Sequence, residues 1–148
     1  MTAIDYEQLV RGCGEAVVVT DLDGSIVLWN AAATRVFGFS ESEALGRPLD
    51  LIVPERLRAR HNEGYAKTAK TGRTRYGTTL LKVPALHKDG RALSIAFSVA
   101  LLRKPDGSVE AVVAVIRDET ARFNEERALR KRVTELEAAL AASNAAVG

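Results

Sequence analysis

The chain has 148 residues, 47% of them hydrophobic and 27% charged, which suits one globular domain with a sizeable core and room for one extra helix. Its 21 basic and 19 acidic side chains leave a net charge of +2, too even for the concentrated basic face that nucleic-acid binding requires. One cysteine, Cys13, and two histidines exclude a disulfide framework and a four-ligand Cys/His zinc site. The acid-containing N-terminus lacks the apolar core of a signal peptide, and no apolar run is long enough to span a bilayer, so a cytoplasmic protein is expected.

Residues 4–12, IDYEQLVRG, predict a short amphipathic helix with Ile4, Leu9 and Val10 as its contacts. Two β-rich runs follow, at 16–20 and 25–29, and the Asp23-Gly24 pair between them predicts a hairpin. From Asn30 the pattern turns helical, closing at Val36 and Phe37. Ser40 with Glu43 three residues later predicts a capping box for a second short helix that ends at Gly46. Pro48 breaks the chain, and Leu51, Ile52 and Val53 supply apolar side chains to the core.

A longer helix starts at Pro54 or Glu55 and stops at Gly72. Arg56, Arg60, Glu63, Lys67 and Lys70 form its polar face. Leu57, His61, Gly64, Tyr65 and Thr68 form the opposite, inward stripe. The last third is β-rich: a strand region over 74–87, a turn at Asp89-Gly90, and an alternating strand with Leu93, Ile95, Phe97, Val99 and Leu101 on one face. After a turn at 105–108, VEAVVAVIRD reads as a central strand. His87, in the second turn, is expected in solvent, and Trp29 is expected to pack. The order β-β, helices, β-β-β predicts an α+β domain with helices on one face of an antiparallel sheet.

After Asp118 the composition changes to a helical tail in which Leu129, Val133, Leu136 and Leu140 follow 4-3-4 spacing among Glu and Arg. Under two heptads long, this helix either packs on the domain or pairs with another helix, and its place beyond the core favours pairing. The expected division is a helix over 1–14, an α+β domain over 15–118 and a C-terminal helix over 119–148. No phosphate-binding loop, nucleophile elbow or H-E-x-x-H motif is present, so an enzyme is not expected.

Over residues 5–120 the chain resembles the PAS family. The resemblance is carried by VVVTDLDGSIVLWNAAATRVFGFSESEALGRPL, the helix from Glu55, the KDGR hairpin and the closing RDET, whose Asp118 and Thr120 match the junction motif that ties the last strand to an outgoing signalling helix. It implies a five-stranded antiparallel sheet whose inner face and helices enclose a small-molecule cavity. Within the family, IVPERLRARHNEGYAK is similar to the haem-bearing helix of the rhizobial oxygen-sensor kinases, with His61 at the position of the proximal iron ligand.

That likeness implies haem b as cofactor, in a pocket to which Ile52, Leu57, Gly64, Tyr65, Lys67, Leu81, Phe97 and Val99 contribute. Lys67 replaces an arginine that serves a propionate, and Leu81 replaces the distal arginine. The apolar distal wall implied by Leu81, Phe97 and Val99 favours carbon monoxide, nitric oxide or redox sensing over tight oxygen binding. The alternative is a cofactor-free dimerisation or interaction module, its histidine only a polar residue at the cavity mouth. A homodimer through the terminal helices is expected. The initiating Met and the tapering alanine-rich end are read as those of a short natural protein that signals through a separate effector.

Overall fold

The computed structural model describes residues 3–73 and 79–147. The chain divides into two compact units, the first up to Asp118 and the second from Glu119. In chain order the elements are α1 (Tyr6–Gly12), β1 (Ala16–Asp21), β2 (Ile26–Trp29), α2 (Ala31–Phe37), α3 (Glu41–Ala44), a 3-10 turn (Leu49–Ile52), α4 (Glu55–Thr71), β3 (Leu81–Leu86), β4 (Ala92–Arg103), β5 (Val109–Asp118) and α5 (Thr120–Val147).

The strands form one antiparallel sheet in the order β2-β1-β5-β4-β3, so the last strand in sequence is central in space. Its uninterrupted run of Val, Ala and Ile explains that position, because a central strand presents side chains to both faces of the sheet. β1 and β2 meet across the Asp21–Ser25 turn, which Asp21 closes by accepting the backbone N–H groups of Asp23 and Ser25 on Oδ1, both at 3.0 Å.

Alternation along each strand divides the apolar residues into two clusters. Ala16, Val18, Ile26, Trp29, Leu93, Ile95 and Ile116 lie on the inner face with Ala32, Ala33 and Phe37 of α2, Ala44 of α3 and Ile52 of the 3-10 turn. Trp29 packs as expected. Its ring centroid is 5.6 Å from that of Phe37, and its indole N–H donates to Thr34 Oγ1 and to the Phe39 carbonyl, both at 3.1 Å. On the outer face, Val17, Val19 and Ala111 form a smaller cluster that Val10 and Cys13 partly cover.

Asn30 joins the two faces. It is buried, it caps α2 by accepting the Ala33 N–H at 3.0 Å, and the same oxygen accepts the Val17 N–H at 3.0 Å. Its amide donates to the carbonyls of Val10 and Glu15, at 2.9 and 3.1 Å. All four hydrogen-bonding sites of the side chain are used. The Ser40–Glu43 capping box at α3 forms as expected.

Several local expectations are corrected. Of the expected contacts only Val10 packs against the sheet; Ile4, ahead of α1, and Leu9 are exposed, because a seven-residue helix lying on one face can seat little more than one turn. The strand expected over 74–87 is found at Leu81–Leu86; residues 79 and 80 precede it without strand structure, and 74–78 lie outside the described residues. His87 is not in solvent. Its side chain is only 14% exposed, because the turn that carries it folds onto the end of α2 at Gly38, where Lys88 N–H donates to the Phe37 carbonyl at 2.8 Å.

Candidate functional site

Pro54 sets the start of α4 by supplying a fixed backbone φ at a position where no donor is needed. Gly72 ends the helix in the left-handed region at φ 67°, with its N–H on the Thr68 carbonyl at 2.9 Å. Between these stops, Leu57, Arg58, His61, Tyr65, Thr68 and Ala69 are half-buried and the rest are exposed. The inward stripe therefore contains Arg58, which donates to the Val53 carbonyl at 3.0 Å, and lacks Gly64. Gly64 was expected on that stripe, but it is exposed and a Cβ there would meet nothing within 4 Å. Lys67 is exposed on the polar face.

Besides Arg58, two side chains of this helix bond to the rest of the sensory unit, and His61 lies beside one of them. Tyr65 donates its hydroxyl to the Asp21 carbonyl, beside the Thr20 hydroxyl, and burial pushes the phenol pKa upward. Asn62 donates to Asp50 Oδ2 at 3.5 Å. His61 lies one turn before Tyr65, the two ring centroids 6.5 Å apart, and its Nδ1 is buried without a hydrogen-bond partner. Asp50 Oδ1 is likewise buried and unpartnered. These are the two buried side-chain polar atoms left unsatisfied among the described residues, and each lies on α4 or on the turn that α4 contacts. Such atoms cost about 1–3 kcal/mol each when nothing binds them.

The sheet residues of the candidate pocket share one face. Leu81 pairs with Phe97 and Phe97 with Ile116, while Val99 pairs with Ala114 and Leu101 with Val112. The inner face is unevenly filled. At its β1–β2 side Val18, Ile26 and Trp29 are all 1% exposed, whereas Leu81, Phe97, Val99, Leu101 and Val112 are only half-buried. An apolar surface left in this state is where a ligand of low polarity gains most by covering it. Ile52, by contrast, is 5% exposed and belongs to the filled core.

The geometry thus brings Leu81, Phe97 and Val99 onto one apolar wall and places His61 and Leu57 with Tyr65 on the inward side of α4. Asp118 is the last residue of β5, opposite Ile95, and Thr120 is the first of α5. Sequence reasoning missed Asp50 and Thr20. An acid within LDLI reads as a solvated turn residue, and a threonine ending a valine run reads as strand, so no local signal marked either one.

This combination of a five-stranded sheet, short helices over one face and a long helix tied to the β1–β2 turn and the 3-10 turn defines a small sensory domain. Residues 4–118 match the family described as PAS fold, and the chain belongs to that family. It is 37% identical to the sensor protein FixL of Bradyrhizobium diazoefficiens over 78 residues, 44% of this chain and 15% of that protein. It is 22% identical to the oxygen sensor protein DosP of Escherichia coli over 130 residues, 88% of this chain and 16% of that protein. The chain thus spans about a sixth of the length of the curated relatives it matches. The crystal structure of a PAS domain from Colwellia psychrerythraea shares the fold, with a TM-score of 0.68 at 22% identity, covering 78% of this chain and 95% of that one. Among the described residues no helix is long and apolar enough to cross a membrane.

Proposed function

We propose that this PAS domain is a sensor that holds haem b through His61 and responds to a diatomic gas or to redox state. The observation that carries the reading is the orphaned ring nitrogen of His61 on the inward side of α4. A neutral imidazole with one unsatisfied nitrogen is a ready iron ligand, and among the described residues no hydrogen bond competes for that atom. The half-buried wall of Leu81, Phe97 and Val99 offers the apolar surroundings that a porphyrin face requires. The residues present fit the group: His61 would hold the iron, and Lys67 would offer its charge to a propionate from the exposed side of the helix. When bound, the iron would supply the chemistry of binding a diatomic gas or changing oxidation state.

The chain's own residues determine what such a site would prefer. Leu81 offers no hydrogen bond, so bound dioxygen would lack a stabilising donor there, while carbon monoxide and nitric oxide depend less on one. The last strand, β5, pairs with β4 along most of its length, so a displacement of Phe97 or Val99 reaches Ile116 and Ala114 directly. Asp118 and Thr120 would then pass it to α5, and through α5 to a second copy of the chain or a separate effector.

Absorption spectroscopy of the purified chain after haem supplementation tests the reading. A strong Soret band that is lost in His61→Ala, with an unchanged circular dichroism spectrum, is expected. Colourless protein would overturn it and leave the cofactor-free interaction module. An oxygen-bound spectrum stable for minutes in the ferrous protein would refute the predicted preference among gases.

A further inference from the structure

A cleft of about 370 Å³ lies where the end of α4, the β1–β2 turn and the β4–β5 hairpin meet. That volume is within the range of small-molecule sites. Leu22, Ala69 and Val109 contribute apolar surface to it, and Lys70, Arg103 and Lys104 supply its charge. Among the described residues no acidic side chain lines it, and neither His61 nor the wall of Leu81, Phe97 and Val99 is part of it.

Arg103 is held in place without being neutralised. Its Nη1 donates to the Gly107 carbonyl at 3.0 Å, within its own hairpin, and its Nη2 donates to the Gly72 carbonyl at 2.6 Å, at the end of α4. A guanidinium has five N–H donors, so two carbonyl bonds fix its plane and leave three donors and the whole charge. Such a fork can meet two oxygens of a phosphate at once. Lys70 on α4 and Lys104 on the hairpin flank it as point charges. None of the three makes an ion pair among the described residues.

The groups that would repel an anion are already engaged. At the negative end of α4 the Thr68 carbonyl accepts the Gly72 N–H at 2.9 Å, the Lys67 carbonyl accepts the Thr71 hydroxyl at 2.8 Å, and the Gly72 carbonyl accepts Arg103. Asp106, on the hairpin turn, directs Oδ1 to the N–H and the hydroxyl of Ser108. Its carboxylate is outnumbered by the three cations.

We infer that this cleft binds a phosphate dianion, free or carried on a small organic body, with Arg103 as its fork and Lys70 and Lys104 as its flanking charges. The bound anion bridges α4 to the β4–β5 hairpin. Because α4 has no buried residue and is held by side-chain ties, that bridge slows its local opening. β4, which carries Phe97 and Val99, runs into the same hairpin, so occupancy of the cleft bears on the wall of the site proposed above. Binding itself does not rest on that proposal.

Proton–nitrogen correlation spectra of the full chain test the site, titrated at fixed ionic strength with inorganic phosphate and, separately, with phenyl phosphate. Shifts centred on the backbone amides of Gly72 and Gly107 are expected, saturating below about 10 mM. Phenyl phosphate should bind several-fold tighter, because Leu22, Ala69 and Val109 can cover its ring. Equal binding of the two would identify free phosphate as the ligand.

Lys70→Gln combined with Lys104→Gln removes two of the three charges and keeps both Arg103 ties, and it should weaken binding about tenfold. Arg103→Lys keeps a cation but loses the fork, and should also bind more weakly with an unchanged circular dichroism spectrum. Lys131→Gln, on α5, removes a positive charge elsewhere and should change nothing. Three results would each overturn the inference: no saturable shift in the parent, shifts spread over the surface instead of these two turns, or a double lysine variant that binds as the parent does. The Soret measurement enters none of them, so failure of this site and failure of the haem reading can be told apart.

Discussion

The imidazole of His87 lies directly against the backbone of Gly38: a Cβ built at position 38 would come within 2.5 Å of His87 Cε1 and 2.7 Å of Nε2. Gly38 ends α2 with φ 85°, a conformation that side chains disfavour, and His87 Nδ1 accepts the Asp89 N–H at 3.1 Å. The loop before β4 is thereby held to the helix that covers the core. Gly38→Ala is expected to destabilise the sensory unit by about 2–4 kcal/mol, from the left-handed backbone and the clash together. Adding His87→Ala should recover the steric part and leave about 1 kcal/mol, read as midpoints in urea.

Asn30 offers a second test. Asn30→Ala leaves the buried N–H of Val17 and the carbonyls of Val10 and Glu15 without partners and uncaps α2. A loss of about 3–4 kcal/mol is expected. Asn30→Asp keeps both acceptor bonds but loses both donors, so it should fall between parent and alanine variant in thermal denaturation.

Acid should weaken the contact between the 87–91 turn and α3 in a defined window. Lys88 Nζ lies 2.6 Å from Glu43 Oε2, and that bond, with those from Ser40, holds the Glu43 carboxyl at about 2 instead of the ordinary 4.5. A carboxylate with a depressed folded-state pKa adds stability above its unfolded value, and the contribution fades as pH falls through the folded one. Glu43→Gln should therefore lose stability relative to the parent at neutral pH, and the difference should close between about pH 4.5 and 2. A difference independent of pH would contradict the pairing.

Tyr65 ties the middle of α4 to the end of β1. Tyr65→Phe keeps the ring and removes the bond to the Asp21 carbonyl, a loss of about 1 kcal/mol. Hydrogen exchange should quicken in α4 around His61 while β1 keeps its protection. Because burial raises the Tyr65 pKa, the parent should also lose stability as pH rises above 10, and the phenylalanine variant should lose less.

Most of the secondary structure was legible in the chain itself, because its signals are local. The Asp-Gly turns, the Ser40–Glu43 box, the stop at Gly72 and the strict alternation from Leu93 to Leu101 act over a few residues, where periodicity and turn chemistry determine the outcome. The helix after Asp118 belongs to the same class, since its periodicity is a property of one segment. In the candidate site, the placing of His61 and Tyr65 on the inward side of α4 followed from 3.6-residue spacing, whereas Gly64 beside them did not, because a residue without a side chain gives no periodic signal of its own.

What the tertiary structure alone decided depends on pairs distant in sequence. Asn30 at the centre of four hydrogen bonds, His87 drawn out of solvent onto Gly38, and the buried, unpartnered atoms of Asp50 and His61 depend on which segments the sheet order brings together. The same order leaves Leu81, Phe97 and Val99 half-covered on the inner face while Trp29 and Ile26 are sealed. Hydrophobicity is alike in both groups. Burial depends on what the fold lays over each of them, and no run of residues carries that information by itself.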